Sequence, residues 1–353
     1  MDVFDFSRLG VFLVEDNHFI RRTVVDLLQQ FQFGRIATAK NGEEAIDYMK
    51  TLGSGSNVTA PDIVISDLVM TPINGLLFLR WMRTAKESPN RMLPYIMLSG
   101  AADGTYVNSA RDLGVTEFLA KPFSGASVYK HLVKVIEAPR QFVTTTKYFG
   151  PDRRRHKREP PGKERRVKDE KDITIVYSAE KVVKPKDPTD VWYFRLPNNL
   201  KEKAGGGGFK GAAELPLDLL EEAENQLERA ALDFTTWAQD YLKKLSDLCT
   251  EALEAEVEDE RGKFFQEINL LALELRGQGG IFGYPLISTF GKMLYDTTYE
   301  GCRVNDDAVG IVKTHIDTMR AVLREKIAGD GGEIGRELLA SLQKAIESRR
   351  IVK

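Results

Sequence analysis

Short apolar stretches in the N-terminal third of the chain each end in a side chain that can do chemistry. In chain order these side chains are Glu15 with Asp16, then Asp67, Ser99 and Lys121. Carboxylates that lie close together repel one another, and a hard divalent cation such as Mg²⁺ neutralises them with the oxygen ligands that it prefers. The residue types therefore predict a cation site with a hydroxyl and an ammonium beside it. The alternative is that these residues only cap helices, as Glu15 and Asp16 could do before the first helix.

The apolar stretches themselves predict strands that are buried on both faces of a parallel sheet. They are the runs 9–14, 63–65 and 95–98, and a fifth strand is expected at 117–119, just before Lys121. Helical repeats of apolar residues follow Asn17 and the pair Asn41-Gly42. Alternation of strand and helix is typical of a doubly wound α/β sheet, in which functional groups gather beyond the carboxyl ends of the strands.

As a set, these residues resemble the receiver domain of bacterial two-component response regulators over roughly 130 residues. The matching motifs are Glu15-Asp16, Ile65-Ser-Asp67-Leu-Val-Met70, Ile73-Asn-Gly75, Met97-Leu-Ser99-Gly100 and Lys121-Pro122-Phe123. The resemblance implies a flavodoxin-like domain with a five-stranded parallel sheet.

The resemblance also implies a role for each residue. Asp67 would accept a phosphoryl group from a cognate histidine kinase, and Lys121 would pair with a phosphoryl oxygen. Ser99 and Phe118 would be the switch, the hydroxyl turning to the phosphoryl group and the ring rotating inward. The cofactor would be Mg²⁺, and its ligands would be Asp16, Asp67, the carbonyl of Val69 and, through water, Glu15.

The sequence departs from the family pattern near the acceptor. Thr71 stands where many receivers have a proline, and Pro72 follows it, so we expect an altered turn with the site retained. Val69 and Ala101 occupy positions where polar side chains orient an attacking water in receivers that hydrolyse quickly. Neither can do so, which predicts slow loss of the phosphoryl group. Phe118 lacks the hydroxyl that a tyrosine would have.

The chain length and charge pattern predict two domains and a connector. The 353 residues exceed one ordinary domain, and the net charge of −2 averages over segments of opposite sign. We expect the receiver domain over 1–138, a basic Pro/Gly/Arg-rich linker over 139–213 and an acidic all-α bundle over 214–353. Two short stretches of the linker, 173–177 and 191–195, are β-prone and could pair.

Helical repeats fill the C-terminal region, with helices predicted over a long acidic segment and over 261–276, 285–299, 305–327 and 332–349. The segment Leu271-Ala-Leu-Glu-Leu-Arg-Gly277 resembles the phosphorylated helix of histidine phosphotransfer domains, with Leu273 where the histidine would be. The resemblance implies a bundle that docks partners through a surface including Leu273 and Arg276. The alternative is an ordinary amphipathic helix whose glycines allow close packing.

Taken together, the sequence predicts a phosphorylation-dependent response regulator that signals through a helical protein-binding domain and is not an enzyme beyond its own phosphoryl transfer. The alternative is a phosphorelay transfer or phosphatase-type regulator in which the bundle acts on a partner's phosphate, with His315 as the residue to test. Seventeen Lys/Arg against twenty-seven Asp/Glu from Glu214 onward oppose nucleic-acid binding. We expect a cytoplasmic protein with no membrane contact, an unidentified downstream protein partner and either a monomeric or a homodimeric state.

Overall fold

The computed structural model describes residues 3–53, 59–99, 104–121, 123–153, 174–177, 185–209, 216–280, 282–299 and 301–351. Their contacts divide the chain into two compact units. The first unit contains Met1–Ala120 and Ser124–Glu224, and the second contains Lys121–Phe123 and Asn225–Lys353. The basic run between 154 and 171 and the predicted motif residues Gly100, Ala101 and Pro122 lie outside the described residues.

A five-stranded parallel sheet forms the core of the first unit, with the strand order β2-β1-β3-β4-β5. Its strands are β1 (Gly10–Val14), β2 (Arg35–Ala39), β3 (Ile63–Asp67), β4 (Tyr95–Ser99) and β5 (Glu117–Ala120). Its helices are α1 (His18–Gln30), α2 (Gly42–Gly53), α3 (Gly75–Thr84), α4 (Gly104–Leu113) and α5 (Gly125–Glu137). The order confirms the predicted doubly wound, flavodoxin-like fold.

Burial of the central strands explains their continuous apolar sequences. Every residue of β1, β3 and β4 is buried, because helices cover both faces of the sheet. One face packs Phe12, Val64 and Met97 against apolar residues of α2 and α3. Strand β2 lies at the edge and is only partly buried, which is why its sequence, Arg-Ile-Ala-Thr-Ala, is mixed.

A second, four-stranded sheet belongs to the same unit and has the order β7-β6-β9-β8. Its strands are β6 (Phe142–Thr144), β7 (Phe149–Pro151), β8 (Thr174–Val176) and β9 (Trp192–Phe194), and a short helix α6 (Asn199–Lys203) follows. The two β-prone stretches of the predicted linker pair with each other in parallel as β8 and β9, whereas β6 and β7 were not predicted. We call this four-stranded sheet the accessory sheet.

Arginine side chains of the receiver-like core hold the accessory sheet. The Arg83 guanidinium lies over the Phe142 ring at 5.2 Å, and that of Arg91 lies over Phe149 at 5.5 Å. Arg83 also donates hydrogen bonds to the carbonyls of Gly114 and Arg91, at 3.0 and 2.8 Å. The predicted linker therefore contains a folded layer that packs on the α/β core.

The second unit is helical, as predicted. The helices of the C-terminal region are α7 (Leu217–Glu254), α8 (Glu258–Gln278), α9 (Pro285–Thr297), α10 (Asp306–Arg324) and α11 (Gly332–Ile351). Helices α8 and α9 approach closely, since a Cβ on Gly291 would lie 2.6 Å from the backbone nitrogen of Arg276. No helix within the described ranges is both long and apolar enough to cross a membrane.

Candidate functional site

Three carboxylates converge at the carboxyl edge of the parallel sheet. Glu15 and Asp16 follow the last residue of β1, and Asp67 is the last residue of β3, its neighbour in the sheet. One oxygen from each carboxylate lies within 4.8 Å of the other two. Glu15 and Asp67 are buried and Asp16 is exposed, so the cluster opens to solvent on one side.

The loop that carries Glu15 and Asp16 is fixed by α1. Asn17 caps this helix by accepting hydrogen bonds from the backbone N–H groups of Phe19 and Ile20. Arg21, one turn later, donates from Nη1 to the carbonyls of Glu15 and Asp16 at 2.6 and 3.1 Å. Because both carbonyls are held, the backbone that carries the two carboxylates is constrained.

The turn after Asp67 is equally constrained. A Cβ on Gly75 would lie 2.1 Å from the Asp67 carbonyl oxygen, so only glycine fits there. The Gly75 N–H donates to the Leu68 carbonyl at 3.0 Å, and the Tyr95 hydroxyl donates to the Gly75 carbonyl at 3.0 Å. The peptide between Thr71 and Pro72, where the sequence predicts an altered turn, is cis.

Tyr95 is buried beneath this turn. Burial raises the pKa of its phenol, and a hydrogen bond with Ser66 opposes that shift. The hydroxyl therefore stays protonated and remains a donor to the turn. Sequence reasoning missed both Arg21 and Tyr95, because each acts through a backbone carbonyl that only the folded chain brings within reach.

The remaining predicted residues follow the strands in order across the sheet. Ser99 is the last residue of β4 and is buried, and Lys121 comes directly after Ala120, the last residue of β5. Phe118 lies within β5 opposite Met97 of β4 and packs, partly buried, against the apolar core. Val69 lies in the loop after β3 and is 43% exposed.

Comparison with protein families identifies this region. Residues 11–133 match the family model of the response regulator receiver domain. Residues 11–133 are a receiver domain of the two-component type. The match spans β1 to α5, the part of the chain that carries the carboxylate cluster, and ends before the accessory sheet.

Two curated relatives share about a third of their aligned residues with this chain. A protein-glutamate methylesterase/protein-glutamine glutaminase of Halalkalibacterium halodurans is 32% identical over 119 residues, which are 33% of this chain and 31% of that protein. The alkaline phosphatase synthesis transcriptional regulatory protein SphR of Synechococcus elongatus is 32% identical over 115 residues, or 32% of this chain and 43% of that protein. The chain therefore spans less than half the length of either relative.

Solved receiver structures also resemble the chain. Chemotaxis protein CheY4 of Vibrio cholerae is 26% identical, with a TM-score of 0.32 over 36% of this chain and 98% of that chain. The receiver domain of sensor histidine kinase PA1611 of Pseudomonas aeruginosa is 21% identical, with a TM-score of 0.31 over 36% of this chain and 95% of that chain. That structure holds a magnesium ion coordinated in its active site cleft.

The receiver match ends at residue 133, so the resemblance of the C-terminal helices to phosphotransfer domains stays a prediction. Leu273 is half-buried on α8, and the Arg276 guanidinium lies over the ring of Tyr295 at 5.7 Å. His315 has no exposed surface, and its Nδ1 lies 2.9 Å from the Ile311 carbonyl. A phosphoryl donor cannot reach a side chain so enclosed, which argues against a relay through His315.

Proposed function

We propose that the receiver domain accepts a phosphoryl group on Asp67 from a cognate histidine kinase. The supporting observation is the convergence of Glu15, Asp16 and Asp67 at one strand edge, with their oxygens within 4.8 Å. Capping a helix would need only one carboxylate at this edge. Three carboxylates close together repel one another, so capping does not explain the cluster. Their oxygen donors suit Mg²⁺, which would be held by Asp16, Asp67, the Val69 carbonyl and, through water, Glu15.

In the proposed transfer, a carboxylate oxygen of Asp67 attacks the phosphorus of a phosphohistidine. The new P–O bond forms as the P–N bond breaks, and the imidazole leaves with the electron pair. When bound, Mg²⁺ supplies positive charge that stabilises the transferring phosphoryl group. Lys121 supplies an ammonium for a phosphoryl oxygen, and the fixed turn at Gly75 holds the Asp67 backbone still while its side chain reacts.

Ser99 and Phe118 would change position in response to the phosphoryl group. Ser99 ends β4, the strand beside β3, so a small rotation could bring its hydroxyl to a phosphoryl oxygen. Phe118 sits on the next strand, partly buried against the core, and its ring would move inward into the space that the Ser99 side chain vacates. Phosphorylation would thereby change the surface around β4 and β5.

The output we propose is protein binding by the helical domain over 214–353, with 139–213 as the connector and 1–138 as the receiver domain. Leu270 is 56% exposed and Leu273, three residues later on the same face of α8, is half-buried. Apolar side chains that stay open to solvent in a folded bundle suit a partner surface. On this proposal the chain catalyses only its own phosphoryl transfer, and its downstream partner is a protein.

Labelling with acetyl phosphate tests the acceptor. The full chain is incubated with the phosphodonor and Mg²⁺, and its intact mass is compared with that of Asp67→Asn. Asp47→Asn is the matched control, since Asp47 is an exposed aspartate of the same domain. We expect one added phosphoryl group in the wild type and the control, none in Asp67→Asn and none after Mg²⁺ is chelated. Equal labelling of Asp67→Asn would refute the assignment.

Affinity capture from lysate, with and without acetyl phosphate, tests the output. Leu273→Arg places a charge at a half-buried position of α8, one turn from the exposed Leu270, and should abolish capture of the partner while Asp67 labelling stays intact. Leu217→Arg is the control, because Leu217 is 74% exposed on another helix. Capture that is insensitive to Leu273→Arg would remove α8 as the docking surface.

A further inference from the structure

A cavity of about 560 Å³ lies between the receiver domain and the accessory sheet, inside the first unit. Pro94 and Thr116, which precede β4 and β5 in the sequence, line one side. Phe142 of β6 and Phe194 of β9 line the other. Its volume is in the range that holds drug-sized ligands, roughly 300–1,000 Å³.

This cavity is separate from the phosphoacceptor site. Its lining residues Pro94 and Thr116 lie at the amino edge of the parallel sheet, whereas Asp67 and Ser99 lie at the carboxyl edge. Strand β4 has five residues, so about 15 Å of sheet separates the two edges. The family match ends at residue 133, and twelve of the sixteen lining residues lie beyond it.

The charge of the lining is one-sided. Arg140 and Arg195 are among the described residues that line the cavity, and that lining includes no aspartate or glutamate. Arg140 is fixed, since it donates to the Thr116 carbonyl at 3.2 Å and to the Asp152 carbonyl. Arg195 is exposed and forms no side-chain hydrogen bond or ion pair within the described part of the chain.

The rest of the wall combines apolar surface with a few amides. Met92, Val135, Phe142 and Phe194 supply aliphatic and aromatic surface. Asn198 is held in place, because its side chain donates to the Ile136 carbonyl at 2.7 Å. Apolar walls with a few fixed polar groups are the usual make-up of small-molecule sites.

We propose that this cavity binds a small organic anion with an aromatic or aliphatic body. The apolar walls would take the body, and the Arg195 guanidinium would pair with the carboxylate or sulfonate group. A neutral ligand of the same shape would leave the guanidinium without an anion, and a cation would be repelled.

Fluorescence titration of the full chain with 8-anilinonaphthalene-1-sulfonate tests the proposal. This probe is an aromatic body that carries one anionic group, and N-phenyl-1-naphthylamine supplies nearly the same body without the charge. The variants are Arg195→Gln, which removes the charge, and Arg195→Lys, which keeps it. Lys147→Gln is the matched control, since Lys147 is an exposed cation of the accessory sheet that does not line the cavity.

We expect Arg195→Gln to weaken sulfonate binding by at least about tenfold, because a charge-assisted hydrogen bond is lost. Arg195→Lys and Lys147→Gln should stay near wild type, and the neutral probe should bind all three variants equally. Unchanged sulfonate affinity in Arg195→Gln, or an equal loss in Lys147→Gln, would overturn the proposal. An equal loss of the neutral probe in Arg195→Gln would show that the cavity itself had changed, and would overturn the anion assignment.

Discussion

Removing the hydroxyl of Tyr95 tests how the turn after Asp67 is held in place. In Tyr95→Phe the ring remains in the core, and the phenol loses its 3.0 Å hydrogen bond to the Gly75 carbonyl together with its hydrogen bond with Ser66. That carbonyl belongs to Gly75, whose backbone packs closely against the carbonyl of Asp67. The substitution therefore loosens the turn beside the acceptor without touching a carboxylate.

The expected magnitude follows from the geometry. A buried hydrogen bond between neutral groups contributes about 1 kcal/mol net, and burial of Tyr95 prevents water from replacing the lost partner. The Gly75 carbonyl opens α3 and can still accept a bond from the helix, so the larger cost of an unpaired buried carbonyl does not apply. A loss of about 1 kcal/mol corresponds to roughly a fivefold larger population of the open turn.

Hydrogen exchange measured by mass spectrometry reports this opening locally. Amides in the first turns of α3 should exchange roughly fivefold faster in Tyr95→Phe, and labelling by acetyl phosphate should slow. Tyr48→Phe is the matched control, because Tyr48 packs on the same apolar core and its hydroxyl forms no hydrogen bond within the described residues. Equal exchange in the two variants would refute the role assigned to the Tyr95 hydroxyl.

Three further predictions concern the helical unit. Gly291→Ala should destabilise it by about 1–3 kcal/mol in urea unfolding, because the new Cβ meets the backbone of α8, whereas Gly277→Ala, with open space around it, should be neutral or stabilising. Burial lowers the pKa of His315, so the imidazole binds a proton more readily in the unfolded state than in the folded state. The free energy of unfolding should therefore fall as the pH drops below about 6.5. In His315→Leu this pH dependence should be reduced. Burial raises the pKa of both thiols, to about 11 for Cys249, but Cys302 is partly exposed whereas Cys249 is buried. At pH 8 a thiol reagent should therefore label Cys302 first, and Cys302→Ser should remove that fast phase.

The parallel sheet was predictable from the sequence because its central strands are buried on both faces. Their runs of apolar residues leave few other interpretations, and β1, β3 and β4 were each identified this way. Strand β2 was not identified, because an edge strand is partly exposed. Its apolar and polar residues alternate no more clearly than those of a loop. The same limit applies to β6 and β7, which have three residues each and are defined by what they pack against.

The placement of the candidate site's side chains was predictable, whereas the contacts that support them were not. Carboxylate, hydroxyl and ammonium side chains stand directly after apolar runs, and the sheet topology then places them at one edge. Arg21 and Tyr95 carry no such pattern. An arginine inside a helix and a tyrosine at a strand start are common, and only the fold shows that both donate to backbone carbonyls beside the carboxylates.

The accessory sheet packs against the receiver domain near the cavity at the amino edge of the parallel sheet. Arg83 is fully buried, and burial lowers its pKa to about 10, so it stays charged at neutral pH. Such a cation is costly to bury, and the carbonyls of Gly114 and Arg91 offset part of that cost. The Phe142 ring adds to this only while β6 is in place. The sheet and the core therefore stabilise each other at the amino edge. Because the cavity forms there and the carboxylates lie at the other edge, one rigid set of strands connects the proposed anion site to the proposed phosphoryl site.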